Sequence, residues 1–411
     1  MTICAEHRAG ANPAAPAGPP RAALTLAADG SYAARLTRHA DAAGSWYPER
    51  WTIGGPEPYA VPLAGCQPEE PDSAPLPLAD GRVVLVRRVA DRFTVSLLSP
   101  TGPGTREELL GAVAADALTL LPPAPDGVLA YALTPGPEAT GLWLVHGGAA
   151  GPERVAVVPG RCTGGVWLDH GGRLLALDRE LAGRTKTVLV DLARGGQISP
   201  LLQITDESED RLLLADPDSG LLLVRSDAPG HDRLGWGVLG SARPVRFPEC
   251  LRAPDMAVVP FAVQPGRARP PETCAVAFRL EGPGGTRLGV WRPADRRLAQ
   301  FPAPDGWLAG SGRWTPEGEL LLPYATAAVP CGVARMAIPL GPAAEGAAPG
   351  PAADRGTAGN GAGIVREAGD NGACSTASAQ PKAPGAEPSG APGHPRLCRP
   401  VPLQQAPLAA R

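Results

Sequence analysis

The stretch Pro125-Asp126-Gly127, followed by Val-Leu-Ala-Tyr-Ala-Leu at 128–133, decides the fold. It places an acid–glycine turn before an apolar run, and the pattern recurs at Asp80-Gly81, Gly171-Gly172, Ser219-Gly220 and Glu317-Gly318. Successive turn glycines lie 46, 45, 48 and 98 residues apart, and a glycine-free copy at 270–280 fills the double interval. Repeats of about 40 to 50 residues with several strands are typical of propeller blades. We therefore predict an all-β propeller.

One repeat can be divided into four strands. The segments 165–169, 173–178, 185–192 and 197–205 are apolar, and glycine-containing turns separate them. Such turns suit tight hairpins because glycine adopts positive φ at little cost. The sequence therefore predicts a four-stranded blade, with the first strand innermost.

The chain is rich in residues that interrupt regular structure. Its 411 residues include 52 Gly and 50 Pro, yet 44% are hydrophobic. Because Gly costs about 1 kcal/mol and Pro about 3 kcal/mol inside a helix, the composition disfavours helices. No apolar run approaches the roughly 20 residues that cross a bilayer. We predict a propeller over 22–340, with disordered arms at 1–21 and 341–411, which lack apolar periodicity.

Charge and cysteine content narrow the setting. The net charge is −3, so we expect neither nucleic acid nor a membrane as a partner. Eight scattered cysteines form no CxxC pair, and we predict no metal or cofactor. Because residues 1–20 contain no basic and apolar leader, we expect a cytoplasmic location with reduced thiols. We also expect a monomer.

Tryptophans recur on the predicted third strands. Trp143, Trp236 and Trp291 occupy matching positions in their repeats. A row of ligand-stacking rings is conceivable, but the shared position favours packing between neighbouring blades.

The repeats resemble those of TolB-type propellers and of the propeller domain in the prolyl oligopeptidase family. The resemblance rests on the turns at 125–127 and 314–318, the strand VLVDLARGG at 188–196, and the segment LQITD at 202–206. It implies a propeller fold over about 74–338. No hydrolase domain accompanies the repeats in this sequence, so the family's peptidase activity is not implied.

The number of blades depends on the N-terminal region. Turns from Gly81 to Gly318 indicate six blades, and the last has strands at 307–313, 318–323 and 332–338 but no fourth. We predict six, closed by a strand at 58–63, because an open ring exposes edges. The alternative is a seventh blade over 24–63 with the Asp29-Gly30 turn, although 32–43 also suits a short helix.

Two polar loops are the candidate sites. The loop 225–233 contains Ser226 and His231, but triad residues normally converge from separate elements, so we interpret it as a solvated turn and predict no catalytic residue. The acidic run 206–210 lacks calcium-loop spacing, and we expect it to be an exposed, solvated loop between blades. The binding candidates are Arg225, Asp227, His231, Asp232, Arg233, Asp206 and Asp210.

We expect a non-catalytic interaction module that binds a protein or small-molecule partner through its loop face, and the partner that we expect first is a protein. The alternative is a propeller hydrolase, or the accessory subunit of a separate serine hydrolase, with a site around the central channel.

Overall fold

A computed structural model describes residues 23–38, 44–65, 67–102, 104–266 and 269–339. The predicted arms, 1–21 and 341–411, lie outside the described residues. Within the described part, 26 strands form seven antiparallel sheets, each built from a continuous stretch of chain. The prediction of an all-β propeller is confirmed.

The seven sheets are the blades. Their strands are β1 Thr25–Leu26, β2 Tyr32–Arg38, β3 Trp46–Thr52 and β4 Tyr59–Pro62 in blade 1; β5 Leu76–Pro77, β6 Val83–Val89, β7 Arg92–Pro100 and β8 Thr105–Ala114 in blade 2; β9 Thr119–Leu120, β10 Ala130–Pro135, β11 Ala139–His146 and β12 Glu153–Pro159 in blade 3; β13 Arg161–Trp167, β14 Leu174–Leu181, β15 Arg184–Asp191 and β16 Gln197–Leu202 in blade 4; β17 Asp210–Ala215, β18 Leu221–Ser226 and β19 Arg233–Val238 in blade 5; β20 Ala257–Val263, β21 Val276–Gly282, β22 Gly285–Trp291 and β23 Ala299–Pro302 in blade 6; and β24 Arg313–Trp314, β25 Glu319–Tyr324 and β26 Gly332–Ala337 in blade 7. Three single-turn 3₁₀ helices, Leu192–Arg194, Glu249–Leu251 and Pro271–Thr273, interrupt the connections.

The up-and-down order of each blade defines two faces. Turns between the first and second strands lie on one face, which we call the lower face. Hairpins between the second and third strands, and the connections from one blade to the next, lie on the upper face. Loops distant in sequence are therefore neighbours on the upper face.

The core is divided among the interfaces between blades. Each of the seven interfaces contains its own cluster of buried apolar side chains. One representative of each cluster is Leu85 (blades 1 and 2), Leu97 (2 and 3), Leu142 (3 and 4), Leu222 (4 and 5), Phe278 (5 and 6), Trp314 (6 and 7) and Trp51 (7 and 1). Trp143, Trp236 and Trp291 all pack in these clusters, as the repeat position predicted.

The repeated glycines make the lower-face turns. Gly127 has φ +70°, and a Cβ there would lie 2.5 Å from that of Ala79 in the neighbouring blade. The Ala79 amide also donates to the Gly127 carbonyl oxygen at 2.8 Å. Glycine is needed because the conformation is left-handed and the neighbouring turn is close.

The preferred count of six blades is wrong, and the seven-blade alternative is correct. The segment Tyr32–Arg38 is a strand, not a helix, and it pairs with β1 and β3. The strand Tyr59–Pro62 completes blade 1 by pairing with β3, so it does not supply a fourth strand to the last blade. Blade 7 has three strands in the described part of the chain.

Side chains close the ring between blades 7 and 1. The Ser311 hydroxyl donates to the Leu24 carbonyl oxygen at 2.6 Å and accepts from the Leu24 amide at 3.0 Å. Trp51 and Leu24 are buried there against Leu308 and Ala325 of blade 7. Among the described residues, no strand is shared between the two blades.

Candidate functional site

A cleft opens on the upper face between blades 5 and 6. It encloses about 470 Å³, within the size range of ligand pockets. One wall is the loop between β18 and β19, and the other is the connection leading into β20. Its lining comprises Arg225, His231, Asp232, Arg233, Leu234, Leu251, Arg252, Ala253, Pro254, Met256, Ala257 and Val258.

The first wall is shaped by a short turn. The Gly230 amide donates to the Asp227 carbonyl oxygen at 2.8 Å, and Gly230 has φ +96°. The Asp227 carboxylate accepts from the Glu209 amide at 2.7 Å and joins the loop to the connection from blade 4. Asp227 is thus a structural residue, whereas His231 and Asp232 are exposed at the rim.

The cleft contains three guanidinium groups and one carboxylate. Arg233 is buried and neutralised, because it pairs with Glu249 at 2.8 Å and donates to the Phe247 carbonyl oxygen at 3.1 Å. Arg225 has only long contacts, at 3.8 Å to Asp232 and 3.5 Å to the Val258 carbonyl oxygen. The exposed Arg252 forms no ion pair with another described residue. Arg225 and Arg252 are therefore the lining guanidinium groups that have no close carboxylate partner among the described residues.

Three apolar side chains contribute to the cleft lining, and we call them the cleft floor. They are Leu234, Leu251 and Val258, each almost fully buried. An apolar floor under a few polar groups can bind an apolar group and orient the polar group beside it.

The acidic run beside this loop is only partly exposed. Asp206 is exposed and accepts a hydrogen bond from Gln203. Asp210 is fully buried, contrary to the expectation of an exposed loop. Its carboxylate accepts from Lys186 Nζ at 2.8 Å, Ser226 Oγ at 2.6 Å and the Ile204 amide at 2.9 Å. Asp210 is therefore a structural anchor between blades 4 and 5.

A second buried carboxylate lies at the same interface. Asp178 accepts from Thr187 Oγ1 at 2.8 Å and from the Leu212 amide at 3.0 Å. Burial raises the pKa of Asp178 to about 6, although these two hydrogen bonds oppose the shift. The group links two blades and lies outside the cleft lining.

The triad residue types in the loop 225–233 do not form a hydrolase arrangement. Ser226 is buried and donates its hydroxyl hydrogen to Asp210, while His231 is exposed on the rim. In the part of the chain that the structure describes, no cluster of three His, Cys, Asp or Glu side chains is arranged to hold a metal ion.

The central channel differs from the cleft in the chemistry of its lining. A second cavity of about 400 Å³ is lined by inner strands of several blades. Leucine, proline, alanine, glycine and Phe261 form most of its wall, with hydroxyls from Thr25 and Ser311. These lining side chains include no titratable group.

Sequence reasoning found one wall of the cleft and missed the other. The loop 225–233 stood out as a cluster of charges, but Arg252 and Met256 lie in a connection without such a cluster. The second wall could have been predicted from its position in the repeat, because the connection into a new blade lies on the same upper face as the hairpin of the preceding blade.

Comparison with known proteins gives similarity in structure only. No family model matches the chain, and no curated protein matches it significantly. One similar solved structure is a puromycin-hydrolyzing peptidase from Mycobacterium tuberculosis, with 16% identity and a TM-score of 0.49 over 76% of this chain and 51% of that one. TolB from Acinetobacter baumannii has 13% identity and a TM-score of 0.40 over 75% of this chain and 80% of that one. The propeller domain of the Trilobed protease from Pyrococcus furiosus has 13% identity and a TM-score of 0.46 over 76% of this chain and 94% of that one.

These are the two groups that the repeats resemble, TolB propellers and peptidase propellers. The chain spans about half the length of the puromycin-hydrolyzing peptidase. At these identities the likeness concerns the fold alone.

Among the described residues, none forms a helix that is long and apolar enough to cross a membrane.

Proposed function

We propose that this propeller is a non-catalytic interaction module that docks a protein partner on its upper face, with the cleft between blades 5 and 6 as the centre of the contact. The observation that supports this most directly is the open cleft itself, in which Arg225 and Arg252 border an apolar floor. Arginine in a partly desolvated depression is typical of interface hot spots.

The rigid frame supports the same proposal. Arg225 lies at the end of a paired strand, and its loop is tied to the neighbouring connection through Asp227. A site held on paired strands loses little conformational entropy when a partner binds.

The competing proposal of a serine hydrolase has a direct test. A fluorophosphonate probe should leave the full-length protein unlabelled, because the Ser226 hydroxyl is buried and engaged by Asp210. Labelling that Ser226→Ala abolishes would overturn the non-catalytic proposal.

The docking proposal predicts a charge-sensitive partner. Full-length wild type should capture a defined protein from native extract in near-stoichiometric amount, and Arg225→Glu should lose it. Arg194→Glu is the control, because Arg194 is a solvated arginine on the lower face of blade 4, outside the cleft. No stoichiometric partner, or a partner that Arg225→Glu retains, would contradict the proposal.

We include a cytoplasmic location in the proposal. Four cysteines lie in the described residues, and all four are free thiols, the state that a reducing compartment maintains. Burial raises the pKa of Cys162 to about 11, so this thiol stays protonated and unreactive at neutral pH.

A further inference from the structure

We propose that the cleft between blades 5 and 6 binds an acidic peptide segment, whose carboxylate displaces Asp232 from Arg225 while a neighbouring apolar side chain contacts the cleft floor. This inference rests on the proposed docking function and specifies the chemistry of the partner. It follows from the two guanidinium groups of the cleft, Arg225 and Arg252, that lack a close carboxylate partner among the described residues.

Arg225 is held where a ligand can reach it. Its Nη2 donates to the Val258 carbonyl oxygen across the gap between blades 5 and 6, and 36% of its side chain is exposed. Guanidinium has five N–H donors, and its strongest pairings with carboxylate are bidentate at about 2.7 to 2.9 Å. The long contacts of Arg225 leave that bonding capacity largely unused.

Asp232 occupies the position of a weak internal ligand. Its Oδ2 lies 3.8 Å from Arg225 Nε, and 67% of its side chain is exposed. Exposed pairs of this kind contribute little to stability, because water and salt screen them. An incoming carboxylate with better geometry therefore displaces Asp232 at little cost.

Arg252 supplies a second cationic contact on the opposite wall. It is exposed and forms no ion pair with the other residues for which positions are given. Arg233 does not compete for the ligand, because Glu249 and the Phe247 carbonyl oxygen already engage it. Two available guanidinium groups facing one cleft favour a segment with more than one carboxylate.

The floor selects an apolar residue within that segment. Leu251 and Val258 are buried below the rim, and the half-exposed Met256 lies beside them. Methionine adapts to apolar groups of different shape. The ligand class is thus a peptide in which acidic residues flank an apolar one, as opposed to a simple anion.

The test uses fluorescein-labelled nonapeptides that differ only in having several Glu, Gln or Lys residues around a central Leu. Fluorescence anisotropy should show that full-length wild type binds the Glu peptide about tenfold or more tightly than the Gln peptide, and that added salt weakens this binding. The Arg225→Glu/Arg252→Glu variant should lose the preference, and the Arg194→Glu control should keep it.

Asp232→Asn should tighten binding of the Glu peptide by about two- to fivefold, because the internal competitor is removed. Equal binding of the Glu and Gln peptides, or a preference that survives in the double variant, would overturn the inference. An unchanged affinity in Asp232→Asn would refute the displacement step. If the extract experiment still yields an Arg225-dependent partner, docking stands and only the acidic-peptide assignment fails.

Discussion

The interface between blades 4 and 5 and the interface between blades 7 and 1 join similar sheets by different means. The first buries nine apolar side chains and adds a buried ion pair between Lys186 and Asp210. The second has three fully buried members, Leu24, Ala33 and Trp51, and a pair of hydrogen bonds through Ser311. Polar groups thus stabilise both interfaces. In the first interface the carboxylate of the ion pair is fully buried, whereas in the second the largely buried pair of Arg35 and Glu49 lies beside Trp51.

The difference reflects chain connectivity. Blades 4 and 5 follow one another, and a short connection keeps them together even when their contacts loosen. Ser311 and Leu24 are 287 residues apart, so closing the ring carries a larger entropy cost. We therefore expect the closing interface to open before the interface of blades 4 and 5.

The largest effect is expected from Lys186→Met. This change leaves the fully buried Asp210 without its cation, and breaking a buried pair costs about 3 to 5 kcal/mol. The free energy of unfolding from urea titration measures the loss. Arg184→Met is the matched control on the same strand, because its pairs with Glu207 and Glu209 are solvated and should contribute less than about 1 kcal/mol.

A second substitution separates lost charge from lost packing. Adding Asp210→Asn to Lys186→Met removes the uncompensated carboxylate, so much of the stability should return. If Lys186→Met costs no more than Arg184→Met, the ion pair does not hold the interface of blades 4 and 5.

An intermediate effect is expected from Ser311→Ala at the closing interface. The change leaves the buried Leu24 amide and carbonyl oxygen without their partner, at a cost of about 1 to 3 kcal/mol. Hydrogen exchange of the Leu24 amide should accelerate more than that of amides between blades 4 and 5. Uniform acceleration across both interfaces would show that the ring opens as one unit, against the expected order.

The smallest effect is a pH dependence confined to the interface of blades 4 and 5. Because the pKa of Asp178 rises from 3.8 to about 6 on folding, its neutral form favours the folded state below pH 4. That advantage is lost as pH rises through 6. Asp178→Asn should therefore gain on wild type between pH 4 and 6, by at most about 1.4 kcal/mol per pH unit.

The closing interface provides the control for this titration. The Ser311 hydroxyl does not ionise in this range, so the loss caused by Ser311→Ala should be the same at pH 4 and pH 7. If the free energies of unfolding of Asp178→Asn and wild type differ by the same amount at every pH in this range, the Asp178 carboxylate does not titrate with folding.

Blade 1 shows why the count of blades was difficult to predict. Ala33 and Ala34 are adjacent in β2, yet both are buried, because neighbouring blades cover both faces of the sheet. Burial on two faces removes the period-two alternation by which a half-buried strand is recognised. Its inner strand β1 has only two residues, which leaves little apolar pattern to detect.

The candidate site was predictable only in part. The charged loop 225–233 was identified, and Arg225, His231, Asp232 and Arg233 all line the cleft. The burial of Asp210 was not foreseen, because its cation comes from β15 of the preceding blade. A solvated acid and a paired buried acid have the same local sequence.

The sequence by itself determined the repeat and the all-β fold, because glycine turns at a period of 45 to 49 residues act locally and specify hairpins wherever they occur. Only the tertiary structure decided the seven blades, the closure through Ser311 and the cleft. These features arise where segments far apart in sequence meet, and no local pattern records which side chains will face one another across two blades.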